Sequence, residues 1–179
     1  MGWIKELFKS IKSIRENNAI AKKYFNMSAD ELKKLSNDEL YDAVFSILYF
    51  SADNEEIDKY NSVQLTILTV MNFDAEVNNG GLCQFFVNSS RVYAPYVIDS
   101  FNTINAPKVS ELFSKFVEEN KIELNDLSSF LINSIKEYKA QTERYPFDDF
   151  DNCYYEIDHI TELLIEYIRN NIELSFEGN

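Results

Sequence analysis

A chain of 179 residues, 45% apolar and 15% aromatic, is long enough for one domain with its own core and too apolar to be disordered. Its net charge of −13 argues against direct nucleic-acid binding, which requires Lys and Arg to neutralise phosphates. Four glycines and three prolines are too little punctuation for a sandwich or barrel, and two cysteines are too few for a disulfide scaffold.

The first element is predicted at residues 3–15. Trp3, Ile4, Leu7, Phe8, Ile11 and Ile14 fall at helical spacing, with Lys5, Glu6, Lys9, Lys12 and Arg15 between them. This is a basic amphipathic helix. It packs on the body of the protein or on a partner, which is the preferred reading, or it lies on an anionic membrane surface through residues 3–15. Basic and apolar residues are interleaved rather than arranged in blocks, so no signal peptide is expected. Residues 1–25 are set apart as this helix, and residues 26–179 as a single helical domain.

Ser36-Asn-Asp-Glu39 is a capping-box sequence, and the helix it opens places Leu40, Val44, Ile47 and Leu48 on one side. An acidic loop from Asp53 to Asp58 follows. A helix over about 60–78 carries Val63, Ile67, Val70, Met71 and Ala75 inward and stops at Gly80-Gly81, where glycine can take a positive φ. A short helix through Gln84–Asn88 comes next. Pro95 and Pro107 each suit the first turn of a helix. One runs through Tyr96, Val97, Ile98, Phe101 and Ile104, the other through Val109, Leu112, Phe113 and Phe116. Residues 126–144 repeat the helical pattern with Leu127, Phe130, Leu131, Ile135 and Tyr138. An aromatic, acidic loop from Tyr145 to Asn152 leads to a long final helix ending near Asn171. With no strand pattern, the expected fold is all-α, a compact single-domain bundle of seven or eight helices.

Charge is distributed unevenly. Residues 1–29 hold six basic and two acidic groups, while residues 111–179 hold six basic and sixteen acidic ones. On a continuous last helix, Ile157, Ile160, Leu164 and Ile168 form the buried side. Asp151, Asp158, Glu162 and Glu166 then share the opposite side. Neighbours at i+4 are about 6 Å apart, against one charge per about 3.4 Å along a DNA strand. One stripe alone is too sparse to imitate a duplex, so Asp148, Asp149 and other acids would have to add to it. A basic protein surface is the natural partner, recognised in a salt-sensitive way.

Catalytic patterns are not found. His159 is the only imidazole, and it has no nucleophile elbow near it. The acids at 148–151 lack the spacing and glycine of a calcium loop, and one His with two Cys builds no usual zinc site. No cofactor or metal is expected. Cys83 and Cys153 are read as buried, reduced thiols of a cytoplasmic protein.

The segment from Glu76 to Ser90 is the most distinctive. It sets Asn78, Asn79, Gln84 and Asn88 beside Gly80-Gly81 and the apolar Phe85-Phe86, followed by Ser89. Buried amides need partners, since leaving them unbonded costs about 2–7 kcal/mol. The segment is therefore either a structural knot, the preferred reading, or a pocket for a small polar ligand lined by Glu76, Asn79, Gln84 and Asn88.

That segment, Glu76-Val-Asn-Asn-Gly-Gly-x-x-Gln-Phe-Phe-x-Asn-Ser-Ser90, resembles the signature of the DMP19-like family, also labelled DUF4375. The Ile104-x-Ala106-Pro107-Lys108 junction and residues 150–172 are also similar to it, so the likeness spans about 30–173. Leu82, where the family usually has an aromatic, and Arg91, where glycine is common, depart from the pattern. The resemblance implies a helical fold and no known catalysis. It also implies one functional precedent among bacterial proteins, a DNA mimic that covers a transcription factor's DNA-binding surface with its acidic face. Some members resemble immunity proteins encoded beside toxins. The expectation is a non-enzymatic protein binding a basic surface on a DNA-binding protein, through Asp148, Asp149, Asp151, Asp158, Glu162 and Glu166. The alternative is an immunity protein that neutralises a toxin.

Overall fold

The structure, a computed structural model, describes residues 23–49 and 56–177. The predicted helix over residues 3–15 and the first part of the acidic loop at 53–58 lie outside these. Among the described residues there is no strand, and seven helices have at least seven residues. One π-helical segment, Phe45–Tyr49, and three 3-10 segments, Ile57–Lys59, Ser89–Tyr96 and Ser128–Phe130, accompany the α-helices. In chain order the helices are α1 (Ala29–Leu32), α2 (Asn37–Val44), α3 (Ser62–Val87), α4 (Val97–Thr103) and α5 (Pro107–Asn120). They continue as α6 (Ile135–Thr142), α7 (Phe147–Tyr154), α8 (Ile160–Asn170) and α9 (Ile172–Ser175).

Local chemistry accounts for where several helices start. The Ser36 hydroxyl accepts from the Glu39 amide at 3.3 Å, and the Glu39 carboxylate accepts from the Ser36 amide at 3.1 Å. The same reciprocal box opens α1 through Ser28 and Glu31, and α3 through Asn61 and Gln64. Each satisfies amides that a helix start leaves without partners. Pro107 opens α5, where its missing N–H costs nothing. Pro95 instead falls inside a 3-10 stretch, Ser89–Tyr96, that runs directly into α4.

Helix α3 is the axis of the molecule, packing against α4, α7 and α8 and against the 3-10 stretch that follows it. From Thr66 to Phe73 every residue is buried, as expected of a helix enclosed by others rather than lying on a surface. Val63, Ile67, Val70 and Met71 are inside as predicted, while Ala75 is exposed. Its buried polar residues bond locally or to the C-terminal segment. Thr69 donates to the Leu65 carbonyl at 2.7 Å, Asn72 to that of Leu68 at 2.8 Å, and the Gln64 amide to that of Glu177 at 2.8 Å. Phe73 lies at the centre, its ring edge-on to Phe85 at 4.9 Å, Phe101 at 5.3 Å, Phe113 at 5.5 Å and Tyr154 at 5.7 Å. These are the favoured edge-to-face geometries for aromatic pairs.

Two predicted helices are shorter than their apolar spacing implied. Over 126–144 only Ile135–Thr142 is α-helical. The Asp126 carboxylate accepts from the Ser128 amide at 3.2 Å and a 3-10 turn follows, so turn-forming side chains override the periodicity. Leu131 and Ile135, expected inside, are 56% and 83% exposed. The predicted loop Tyr145–Asn152 is largely helix α7, and the predicted long last helix is divided. Tyr154 and Tyr155 tie the end of α7 to α3 through the Asp74 carboxylate (2.6 Å) and the Val77 carbonyl (2.9 Å). The chain then turns through His159 at φ 71 before α8 begins.

Candidate functional site

The glycine-amide segment is a polar knot centred on one carboxylate. Glu76 Oε2 accepts from the Gln84 amide at 2.6 Å and the Asn88 amide at 2.8 Å, and Oε1 accepts from the Ser90 hydroxyl at 2.8 Å. Three donors from the far side of the glycine break thus converge on one side chain before it. Hydrogen bonds to an ionised group contribute more than neutral ones. The break itself is at Gly80 (φ −160, ψ 22) and Gly81 (φ 80, ψ 175). Gly81 has a backbone conformation that L side chains rarely adopt, and a Cβ there would sit 2.1 Å from the Asp151 carboxylate.

That close approach has a purpose. Asp151 Oδ1 accepts from the Leu82 amide at 2.8 Å, giving a partner to one of the N–H groups exposed where helical winding resumes. Burial lifts the Asp151 carboxyl above its ordinary range; the Leu82 bond works against this and the nearby Asp148 adds to it. Beside it, burial pushes the Cys83 thiol up to about 11, with the Asp151 charge contributing. Asn78 joins a second cluster, donating to the Asp74 carboxylate at 2.8 Å, which also receives the Tyr154 hydroxyl. Phe85 and Phe86 are fully buried, Asn79, Asn88 and Ser89 are exposed, and Glu76 and Gln84 are half-buried.

Both departures from the expected motif have a structural account. Leu82 is fully buried at the break, in a site that an apolar side chain suits. The Arg91 guanidinium donates to the carbonyls of Val87 (3.1 Å) and Asn88 (2.8 Å), closing the end of α3.

The six acids expected to form one contact surface do not share one helix. Asp148, Asp149 and Asp151 are on α7, Asp158 is in the turn, and Glu162 and Glu166 are on α8. Asp148, Asp149, Asp158, Glu162 and Glu166 are exposed, whereas Asp151 is half-buried and turned to the glycine break. Among the described residues Asp148, Asp149, Asp158 and Glu166 form no ion pair, and Glu162 faces only His159, at 3.8 Å. Glu119, 3.9 Å from Lys115, shares a groove with Asp149, and Glu156 shares one with Asp158.

His159, expected within the last helix, stands just before it and is exposed. Cys153, expected to be buried, is exposed too. Among the described residues no group of three or more His, Cys, Asp or Glu is placed to hold a metal, and no helix is long and apolar enough to cross a membrane. Reading the motif left out Ser90, Asp74 and Asp151 as members of the polar network. Only Gly81 hinted at Asp151, since an obligatory glycine marks a close approach without naming what approaches.

With this geometry in view, the class follows: an all-α protein whose central helix is broken at a glycine pair and stapled by a carboxylate. The model of the family described as DMP19-like protein matches residues 58–171, more than half of the chain. The chain belongs to that DMP19-like family. The match begins later than the span of about 30–173 suggested by the motifs. A comparison with curated proteins finds no match, and one with solved structures finds none either.

Proposed function

We propose that this protein is a non-enzymatic binding protein that presents exposed acids of α7 and α8 to a basic surface on another protein, in the place that DNA phosphates would occupy. The observation that carries the reading is that Asp148, Asp149, Asp158 and Glu166 are exposed on a chain of net charge −13 and form no ion pair among the described residues. Unpaired surface charge keeps its long-range field, which steers and selects a partner of opposite sign. Membership of the DMP19-like family is consistent with a DNA-mimic-like role. Asp151 is left out of this surface because its carboxylate is committed to Leu82.

The division of the acids between two helices and a turn supports the reading too. A single helix row is sparser than a phosphate backbone, whereas acids offered by two elements give a broader field.

The test is capture of the tagged full-length protein's partners from its host lysate. The expected outcome is a DNA-binding protein whose retention falls steeply with salt and is lost in a Glu162→Lys, Glu166→Lys variant. Competition with duplex DNA for that partner separates mimicry from a toxin–immunity pair, in which the captured protein would be a toxin silenced on binding. A tight partner indifferent to salt and to charge reversal would overturn the proposal.

A further inference from the structure

A groove of about 430 Å³ lies where the turn before α8 meets the start of α5. Ile157, Ile160 and Leu163 give it an apolar floor, with Ile157 and Leu163 only half-buried. Glu156 and Asp158 stand on its rim, and Lys108 and His159 also line it. Glu162 follows one turn further along α8. An apolar floor with acidic edges selects for an occupant with the opposite design, an apolar stripe flanked by basic residues.

This chain carries such a segment. Residues 1–22 hold five basic and two acidic groups, and Trp3, Ile4, Leu7, Phe8, Ile11 and Ile14 recur at helical spacing. An apolar stripe of that size gains by leaving water, at roughly 25 cal/mol for each Å² covered. Reach is sufficient. Lys23 stands 3.8 Å from Glu39 on α2, α2 packs on α8, and α8 borders the groove at its other end. The eleven residues of α8 span about 16 Å, while twenty-two residues span about 33 Å even when fully helical. The groove beside Arg91 and Leu131 has no acid in its lining and does not match a basic segment.

We infer that the groove between Pro107 and Leu163 is the docking site of the chain's own basic N-terminal segment, with Trp3 or Phe8 as its anchor. A segment seated there covers Asp158. On the partner reading above, an external basic protein would then have to displace it, so the N-terminus acts as an internal competitor.

Trp3 is the only tryptophan, so its fluorescence reports on the docking itself, with no partner needed. In the full-length protein its emission is expected to be blue-shifted, and its quenching by acrylamide several-fold weaker than in a synthetic peptide of residues 1–22. Both are expected to be independent of protein concentration. Leu163→Glu and, separately, Asp158→Lys are expected to raise the quenching towards the peptide's value while circular dichroism stays helical. Four results would overturn the inference. They are quenching in the wild type equal to the peptide's, protection that neither substitution moves, protection lost on dilution (a second copy as host), or a blue shift seen only with phosphatidylglycerol vesicles. A failed partner capture would leave this test untouched, since it reads no partner.

Discussion

Two polar regions of this molecule differ in how they use their charge. In the glycine-amide knot, Glu76 takes three donors and Asp151 takes the Leu82 amide, so the carboxylates are engaged inside the chain. On the outer sides of α7 and α8 and in the turn between them, Asp148, Asp149, Asp158 and Glu166 are exposed and in no ion pair among the described residues. The first arrangement fixes shape, because bonded carboxylates resist any movement that would strip their donors. The second leaves its field for another molecule. The most distinctive sequence is therefore spent on shape, and on the proposal above it is the ordinary-looking acids that make the contact.

Stability measurements can break or sharpen this contrast. Gly81→Ala should have the largest effect. It forces a side chain into a strained φ and against Asp151, and displaces the Leu82 cap, for a loss of about 3–5 kcal/mol in urea unfolding. A loss well under 1 kcal/mol would mean that the break relaxes freely. Glu76→Ala comes next, at about 2–3 kcal/mol, since three donors lose their acceptor on a half-buried group. If it unfolds like the wild type, the knot is decorative. The surface variant Glu162→Lys, Glu166→Lys is the counterpart, expected within about 0.5 kcal/mol of the wild type because both acids are exposed.

The smallest effect is one of pH. Burial raises the folded-state pKa of Asp151 above the ordinary 3.8, so its charged form is the one that folding disfavours. That penalty is present above the raised value and is relieved as pH falls through it towards 3.8. The wild type should therefore gain stability relative to Asp151→Asn over that window, as read from urea midpoints at stepped pH. The opposite slope would mean that the Leu82 bond outweighs burial. Substituting Asp148 should leave the direction unchanged, since burial is the leading cause.

How much was legible varied from element to element for physical reasons. The Ser36 capping box and Pro107 announce helix starts because the signals are local, side chain to nearest backbone. The break at Gly80-Gly81 was legible for the same reason. The division between α7 and α8 was not. No glycine or proline lies there, and the turn is held by Tyr154 and Tyr155 bonded to groups 80 and 78 residues away. Leu131 and Ile135 misled in the opposite way, since their spacing fits a buried stripe although Asp126 and Ser128 turn the chain before it can form.

The candidate surface followed the same rule. Its acids and their sign could be read directly, but Asp151 could not be told from Asp148, because sequence gives charge and not orientation. By itself, the sequence determined the helical class, the family signature and the sign of the chain's own charge, all set by composition and short-range patterns. Only the tertiary structure decided which carboxylates are spent on the fold and which remain outside. That depends on contacts across some seventy residues, such as Asp151 to Leu82, which local spacing does not encode.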